Sequence, residues 1–382
     1  MSSRRPTLRE DLTRVEILAL LGTAGALDRQ QIAARLRLGA ATVHDHTGRL
    51  LKAGYLEALD PQPGGVGRPR IPLRIVSDAA ATLGLRIATD HLVAVVVGLD
   101  GQTLTSDVYP FDPGVDPIHQ LLDVICGYLA DPSLGPRLKG VGIATPGSVE
   151  PATGYLRFVP RLGWSDVPLG RRLREKLPIP VLIDNDIRAS TTAELLYGAG
   201  REYDDFLVLG LGDGVGLGAV LHRRVHRSPN GLSGEFGHTP VSDTGPLCGC
   251  GARGCLETFT NDRAILEAAR RSALADNDTT IETIRRRSVD GDPALAEVLA
   301  GIGAILGRAL AGVVNLLGTP TIAVIGENYA LWPHLEPGFS AAIQASPVTA
   351  GHRVTTIVRS WHDSQHARGA ATLALAHPDT LS

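Results

Sequence analysis

The first residues of the chain carry apolar positions at helical spacing. One run extends from Leu12 to Leu21, and Gly22 ends it. Asp28 then stands three residues before Gln31, which is the capping-box spacing that marks the start of a helix. This pattern predicts two helices separated by a short turn.

A third helical run and two strand-like runs follow. The third helix is expected from about residue 39 to 51, and Gly54 stops it. Tyr55–Leu59 and Ile71–Ile75 have the composition of short strands, and the Gly- and Pro-rich segment 61–70 between them predicts a hairpin loop. Three helices followed by a β-hairpin are the arrangement of a winged helix-turn-helix.

From about residue 82 the pattern changes to alternating strands and helices. Apolar runs typical of strands occur at 92–99, 141–144, 181–183, 206–211 and 321–325, and helical periodicity occurs at 117–130, 187–197, 261–274 and 293–317. This alternation predicts an α/β fold. Two β-rich segments each run toward a Gly-rich turn, which fits a two-lobed, duplicated fold, but periodicity alone does not establish the duplication.

Charge is unevenly spread along the chain. Residues 1–75 hold 12 Lys+Arg and 7 Asp+Glu, a net charge of +5, which leaves −8 for the remainder of a chain whose total is −3. A basic head on an acidic body fits a nucleic-acid-binding module joined to a second domain. Chance asymmetry is the alternative explanation.

The chain shows no sign of a targeting or membrane segment. It opens Met-Ser-Ser-Arg-Arg without an apolar run, and the apolar stretch 299–317 contains Arg308, Asn315 and several glycines. That stretch therefore predicts a buried helix. We expect a cytoplasmic protein without a membrane partner, associated with the nucleoid when it is bound to DNA.

The third helix and the hairpin loop supply the groups that a winged helix uses on DNA. In such a domain the second helix of the helix-turn-helix enters the major groove, and Arg side chains of the wing reach the minor groove. The predicted DNA-binding residues are Ala40, Thr42, His44, His46, Arg49, Arg68 and Arg70. The alternative is a three-helix module that contacts protein.

One His and three Cys form a candidate metal site. His238, Cys248, Cys250 and Cys255 can hold zinc in a closed tetrahedron, and the intervening glycines allow the tight turns that bring the sulfurs together. We therefore predict a structural Zn²⁺ site. A disulfide is the alternative, but the odd number of clustered cysteines argues against it. Cys126 lies in an apolar helical run and is predicted to be a core residue.

These motifs also carry a family resemblance. Gly-Glu-Phe-Gly-His at 234–238, with Cys-x-Cys-Gly-x-x-Gly-Cys-Leu-Glu at 248–257, resembles the signature of the ROK family of repressors and sugar kinases. The resemblance implies a winged helix-turn-helix at 1–76 followed by a two-lobed, hexokinase-like, actin-like ATPase domain at 80–382. The small lobe would span about 80–190 plus the C-terminal helix, and the large lobe about 191–362 with the zinc site.

The resemblance also implies a sugar pocket. By the family pattern, the residues that match its sugar-binding positions are Asn185, Asp186, Glu235, His238 and Glu257. Carboxylate, amide and imidazole groups can accept from and donate to sugar hydroxyls in pairs. Arg188 departs from the Asn that is frequent in the family, which leaves the identity of the ligand open.

The positions that match the family's ATP site depart from its pattern. Arg86-Ile-Ala-Thr-Asp90 stands where the kinases have Asp-x-Gly-Gly-Thr, Gly-Asp-Gly at 212–214 replaces Gly-Thr-Gly, and Gly-Glu at 326–327 replaces a Gly-Gly pair. Arginine takes the place of the metal-associated aspartate, and new carboxylates stand where phosphates would bind. We therefore predict that kinase activity is lost and that the chain is not an enzyme.

Together these features predict a sugar-responsive, DNA-binding transcriptional regulator, a repressor of carbohydrate-utilisation genes. Its partners would be a double-stranded DNA operator, a sugar or sugar derivative, and further copies of itself in a homodimer or homotetramer. Two alternatives stay open: an active ATP-dependent sugar kinase with an appended DNA-binding head, and a regulator that no longer binds sugar. The sequence leaves open which sugar binds and whether that sugar is phosphorylated.

Overall fold

The three predicted N-terminal helices and the hairpin are present in the computed structural model, which describes residues 8–62, 69–345, 354–376 and 378–381. These elements, called the head below, are α1 (Leu8–Ala24), α2 (Arg29–Leu36), α3 (Ala40–Lys52), β1 (Leu56–Ala58) and β2 (Leu73–Ile75). The capping box is formed as predicted, because Asp28 accepts from the Gln31 backbone and Gln31 from the Asp28 backbone. Leu27 adds a bridge to Leu73 beside the β1–β2 hairpin.

The chain divides into two compact units. The first consists of Met1–Gly198, Pro229–Gly231 and Ser364–Ser382, and the second of Ala199–Ser228 and Leu232–Asp363. The first unit therefore holds the head together with a large part of the α/β body. The predicted division of the chain at 76–80 stays a prediction.

The body of the first unit is built on a five-stranded sheet. Its elements are β3 (Ala81–Ile87), β4 (His91–Gly98), β5 (Thr103–Pro110), α4 (Pro117–Ala130), β6 (Leu138–Thr145), β7 (Ser148–Glu150), β8 (Tyr155–Val159), β9 (Trp164–Val167), α5 (Leu169–Arg174), β10 (Val181–Asn185) and α6 (Asp186–Tyr197). The strand order is β10-β6-β3-β4-β5, with β3, β6 and β10 parallel and β4 and β5 antiparallel to their neighbours. Strands β7, β8 and β9 form a separate small sheet.

The second unit repeats this topology. Its elements are β11 (Phe206–Leu211), β12 (Val215–Leu221), β13 (Arg224–Val225), α7 (Glu257–Thr260), α8 (Asp262–Arg271), α9 (Ile281–Val289), α10 (Pro293–Leu317), β14 (Thr321–Ile325), α11 (Trp332–Gln344) and β15 (Thr355–Val358). The strand order is β13-β12-β11-β14-β15, and when it is read from β15 to β13 it has the same succession of two parallel and two antiparallel pairings as the first sheet. The duplication that periodicity left open is therefore present.

The last helix, α12 (Ser364–Leu375), returns to the first unit and covers one face of its sheet. Close approach is possible because the sheet presents glycine there: a Cβ on Gly84 or Gly142 would overlap the α12 backbone at Ala367 or Ala370. The opposite face of the sheet packs against α4 in a separate apolar core. Both faces are thus buried, as expected for the centre of an α/β sheet.

Helix α10 is the one helix among the described residues that is long and apolar enough to cross a membrane. Its apolar residues at helical spacing, Leu295, Leu299, Ile302, Leu306, Leu310 and Val314, are buried in the core of the second unit. It has the predicted bounds and, as predicted, buries a face.

The head shares an apolar core with the body of the first unit. Residues of α1, among them Ile17, Leu18 and Leu21, lie in one cluster with residues of the body, which are Leu99, Leu196, Leu375 and Leu381. The Arg14 side chain also donates to the Leu381 carbonyl at 3.2 Å. Removal of this apolar surface from water holds α1 on the body.

One core prediction was wrong. Cys126 is exposed on α4, because the buried face of that helix is formed by Ile118, Leu121, Ile125 and Tyr128. Cys126 follows Ile125 by one residue, about 100° around the helix, and so turns away from the core.

Candidate functional sites

Helix α3 presents one polar face on the surface of the head. Ala40, Thr42, His44 and Arg49 are exposed, while Val43, Thr47 and Leu50 hold the helix on the rest of the head. The Thr47 hydroxyl also accepts from Arg29 Nε of α2 at 2.8 Å, which joins the two helices of the helix-turn-helix. The exposed side chains are therefore carried by a fixed helix.

His46 corrects the predicted set of DNA-binding residues. It is only 6% exposed, because it lies three residues after Val43 and four before Leu50, on the inward face of α3. Its side chain belongs to the head's interior. Asp45 is exposed and pairs with Arg49 at 2.9 Å, one helical turn apart.

The wing places Arg70 beside the start of α2. Arg70 is bridged to Gln62 across the hairpin, and its half-exposed side chain lies 3.7 Å from the Asp28 carboxylate. Arg68 lies outside the described residues.

The junction of β10 and α6 carries the first two predicted sugar residues. Asn185 caps α6, because its side-chain oxygen accepts from Ile187 N at 3.0 Å, and its amide donates to the Gly147 carbonyl at 2.9 Å. Asp186, the first residue of the helix, is partly exposed. The Asn185 side chain is thus fixed by its hydrogen bonds to backbone groups, and Asp186 presents a carboxylate next to it.

Arg188 has a role that the sequence did not reveal. It is 1% exposed, and its Nε lies 2.5 Å from the Asp184 carboxylate. Its two terminal nitrogens donate to the carbonyls of Gly231 and Val149, both at 2.9 Å. This side chain ties α6 and β10 to β7 and to the segment Pro229–Gly231, so its donors are committed to the protein.

The other predicted sugar residues come together in the second unit. His238 Nε2 lies 3.6 Å from Glu235 Oε2, and His238 Nδ1 lies 3.6 Å from Glu257 Oε1. The 3-10 helix Phe236–His238 and the start of α7 carry these groups. All three side chains are partly exposed, so one imidazole and two carboxylates are within reach of a polar ligand.

The predicted metal residues also converge. The ligand atoms of His238, Cys248, Cys250 and Cys255 all lie within 4.8 Å of one another. Cys248 Sγ is 3.4 Å from His238 Nδ1, and Cys250 Sγ is 3.7 Å from Cys255 Sγ. A zinc tetrahedron with ordinary bond lengths has edges of about 3.5–3.8 Å, so the four residues fit a metal ion with little movement.

Two thiols of this cluster have a raised pKa. Burial raises the pKa of Cys248 well above its usual range, and Glu257, whose carboxylate accepts from that thiol at 2.9 Å, raises it further. Burial also raises the pKa of Cys255. Thiolates at such positions need a bound cation to be stable.

The loops that match the family's ATP site carry acidic groups. In the first unit, Asp90 stands exposed in the turn between β3 and β4, 2.7 Å from His91. In the second unit, Asp213 is exposed between β11 and β12, and the Glu327 carboxylate lies so close to Gly212 that a Cβ there would overlap it. A carboxylate against this loop disfavours the binding of a polyphosphate, because the two negative charges repel each other.

A polar network next to that loop was missed from the sequence. Asp262 accepts from Arg285 at 2.9 Å and from Asn328 at 2.6 Å, and Arg285 Nε donates to the Asn328 oxygen at 2.9 Å. Burial raises the pKa of Asp262, while Arg285 opposes that rise. The three residues are far apart in sequence and belong to no motif, so no local signal could have found them.

Comparison with known proteins places this chain in a family. A model described as the ROK family matches residues 82–377. The DNA-binding transcriptional dual regulator NagC of Escherichia coli (strain K12) is 27% identical over 376 residues, which cover 96% of this chain and 93% of the relative. The xylose repressor of Bacillus subtilis (strain 168) is 24% identical over 311 residues, which cover 81% of this chain and 79% of the relative.

Solved structures agree on the fold. A ROK family transcriptional regulator, a homologue of the E. coli MLC protein, is 24% identical with a TM-score of 0.79 and covers 98% of both chains. A ROK family glucokinase from Streptomyces griseus, in complex with glucose and AMPPNP, is also 24% identical, with a TM-score of 0.68. It covers 77% of this chain and 99% of its own. The predicted fold class, a winged helix-turn-helix followed by an actin-like ATPase domain, is confirmed.

Proposed function

This chain belongs to the ROK family, and on that premise we propose that it is a sugar-responsive, DNA-binding transcriptional regulator that represses carbohydrate-utilisation genes. The observation that carries the proposal is the head. The relative described as a DNA-binding regulator is similar over 96% of this chain, whereas the glucokinase covers only 77% of it. The head is what a kinase of this fold does not need.

DNA would be read by α3 and the wing. The exposed Ala40, Thr42, His44 and Arg49 would face the major groove. Small residues at the start of α3 would allow close approach, and the polar side chains would reach bases and phosphates. Arg70 and Arg68 would contact the DNA backbone or the minor groove. The partner is a double-stranded operator with two half-sites, which a homodimer or homotetramer of this chain would read.

A sugar or sugar derivative would be the effector. The residues that we propose to bind it are Asn185, Asp186, Glu235, His238 and Glu257. These side chains combine acceptors with donors, as a ring of hydroxyls requires. Ligand binding would shift the populations of conformations that differ in DNA affinity.

We propose Zn²⁺ as the metal of the Cys/His cluster. His238, Cys248, Cys250 and Cys255 would hold it in a closed site, in which the ion supplies structural cross-linking. His238 would then be fixed by its Nδ1 and would keep Nε2, on the Glu235 side, for a sugar hydroxyl.

The protein would not be an enzyme. Asp213 and the Glu327 carboxylate beside Gly212 oppose binding of nucleotide phosphates, and Arg86 replaces an aspartate that the kinases use with their metal. The alternative of an active kinase predicts ATP-dependent phosphorylation of a sugar.

We place the protein in the cytoplasm, where its operator is.

Genome-wide footprinting of the tagged full chain tests the regulator. We expect discrete sites next to carbohydrate genes, and binding to the recovered fragments that changes when a sugar of that pathway is added. Turnover of a hexose with ATP and Mg²⁺ would replace this function with the kinase alternative. DNA binding without a thermal shift across sugars and sugar phosphates would instead indicate a regulator that no longer senses sugar.

A further inference from the structure

Helix α6 runs from two of the proposed sugar residues to the apolar core that the head shares with the body. Asn185 is its N-cap and Asp186 its first residue. At the other end, Leu196 is 5% exposed and lies in one cluster with α1, and Tyr197 packs against that cluster. At 1.5 Å per residue, the 12 residues of α6 span about 18 Å. One helix therefore joins the two places that a regulator of this kind has to couple.

The first turn of α6 is held by polar contacts. The Asn185 side-chain amide donates to the Gly147 carbonyl at 2.9 Å, and Arg188 pairs with Asp184. The strength of such contacts depends steeply on distance and angle. A ligand bound by Asn185 and Asp186 would act directly on this turn.

The middle of α6 lies against the backbone of α12. A Cβ on Gly369 of α12 would overlap the backbone of Ala189 and Ser190. Ala189 and Ala370 also belong to one small apolar cluster. Because short side chains make this contact on both helices, α6 can tilt on α12 with little repacking.

The contact with Gly369 is nearer to the sugar end of α6 than to the head end. Along the helix axis, Ser190 is about 6 Å from Asp186 and about 10 Å from Tyr197. A tilt about Ser190 therefore displaces the head end by nearly twice as much as the sugar end.

The last turn of α6 is packed into its surroundings. The Tyr197 ring lies against Gly101 in the turn between β4 and β5, and the Arg368 guanidinium lies 5.2 Å from the centre of that ring. Leu196 packs in the same cluster as Ile17 of α1. Closely packed side chains transmit a displacement instead of absorbing it. A shift of this turn would thus be passed to α1.

We propose that α6 conveys the binding of the sugar to the head. A sugar bound by Asn185 and Asp186 tilts α6 about its contact with Gly369. Leu196 and Tyr197 then shift α1, and with it the DNA-binding helix α3. This proposal rests on the proposed sugar-sensing function. Sugar binding and operator binding are coupled in this way through the relative free energies of two positions of α1.

Operator binding by the full chain, followed by fluorescence anisotropy, tests the proposal. The operator is a fragment recovered by footprinting, and the probes are glucose, N-acetylglucosamine, their 6-phosphates and xylose. At least one probe should change the operator affinity of the wild-type chain by about 5- to 150-fold, the usual range of allosteric coupling. In Leu196→Ala this factor should fall below about threefold, while the affinity for the same probe without DNA, measured by calorimetry, stays within about threefold of wild type.

The matched control is Leu381→Ala, which removes a buried leucine of the same cluster that lies outside α6. It should lower the melting temperature to a similar extent and retain the response to sugar. An equal loss of response in the two variants would assign the coupling to the cluster as a whole and overturn the proposal. An unchanged response in Leu196→Ala overturns it too, and so does a loss of sugar binding in that variant.

Hydrogen exchange of the wild-type chain provides a test that needs no variant. Addition of the responding sugar should change the protection of amides in α1 and in the last turn of α6, and leave α4 of the same unit unchanged. Unchanged protection in α1, with a sugar that does alter operator affinity, overturns the role of α6 while sugar sensing stands. If no probe alters operator affinity, the sugar-sensing function itself is removed.

Discussion

Gly22 of α1 lies directly against the backbone of Asp100, in the turn between β4 and β5. A Cβ on Gly22 would overlap the Asp100 carbonyl, and backbone cannot move aside as a flexible side chain can. The same turn is held from the other side, because Gly101 packs on the Tyr197 ring and its carbonyl accepts from Arg368 at 2.9 Å. The position of the head on the body is therefore set by backbone contact.

Gly22→Ala should push α1 away from the body. The expected cost is about 1–3 kcal/mol, the usual scale of overpacking, and the head should become more sensitive to protease. Thermal unfolding and limited proteolysis measure both effects. Gly127→Ala is the matched control, since Gly127 lies in α4 with open space around it. Equal melting temperatures for the two variants would contradict the close contact.

Arg188→Ala should be severely destabilising. It leaves Asp184 buried without its cation and two carbonyls without donors, which costs about 3–5 kcal/mol when one partner of a buried pair is removed. Denaturant unfolding provides the measurement. Arg172→Ala breaks an exposed pair with Asp116 and should cost less than about 1 kcal/mol. A small effect of Arg188→Ala would show that the pair is not the tie described here.

Cys250→Ser should lower the zinc content of the purified protein to well below one ion per chain and weaken the response to sugar. Loss of one thiolate from a closed tetrahedral site removes a ligand that a hydroxyl does not replace. Elemental analysis and a thermal shift upon chelation give the readouts. Cys126→Ser, which changes an exposed cysteine on α4, should retain the metal. Full zinc content in Cys250→Ser would show that the ligand set is wrong.

His44→Ala and His46→Ala should have opposite consequences. His44 is exposed on the proposed DNA face, so its loss should weaken operator binding by about 1–3 kcal/mol if it contacts a base, with little change in stability. His46 is buried, so its loss should lower the melting temperature of the protein. Fluorescence anisotropy and thermal unfolding separate the two. The reverse pattern would mean that α3 is rotated from the orientation described.

Stability should fall in mild acid because of His366. Burial and the nearby Arg86 lower its pKa, so the folded protein keeps His366 neutral while the unfolded chain takes up a proton below its ordinary value of 6.5. The contribution is present above pH 6.5 and is lost as the pH falls, at a slope of up to about 1.4 kcal/mol per pH unit for one proton. Urea unfolding from pH 5 to 8 should show a shallower slope for His366→Gln. An identical slope in both proteins would assign the pH dependence to other groups.

The elements that the sequence predicted best are those with a strong apolar pattern. Helix α10 and strands β11 and β14 have the predicted bounds. Apolar residues recur at helical spacing along α10 and fill most positions of the two strands. Strand β5 was missed, since it is a largely exposed edge strand with no apolar run. The burial of His46 could have been inferred from its spacing to Val43 and Leu50, but the DNA-binding assignment rested on position in the helix alone.

The candidate sites also differ in how far the sequence could predict them. The Cys/His cluster is local in sequence and carries its own chemistry, so spacing was sufficient to group its residues. Arg188 appeared as a departure from a family pattern, and its real contacts involve Val149 and Gly231, about 40 residues away on either side. Such long-range contacts leave no periodic or local trace, and only the fold reveals them.

The apolar cluster that joins α1 to Leu99, Leu196, Leu375 and Leu381 has a consequence for recombination between regulators. A head of this kind cannot be exchanged as a cassette cut at the end of the hairpin, because the cut would expose an apolar surface on both pieces. A working chimera would have to carry the complementary residues of the body with the head. Operator specificity and effector specificity should therefore diverge together in such proteins, unless the cluster itself is preserved.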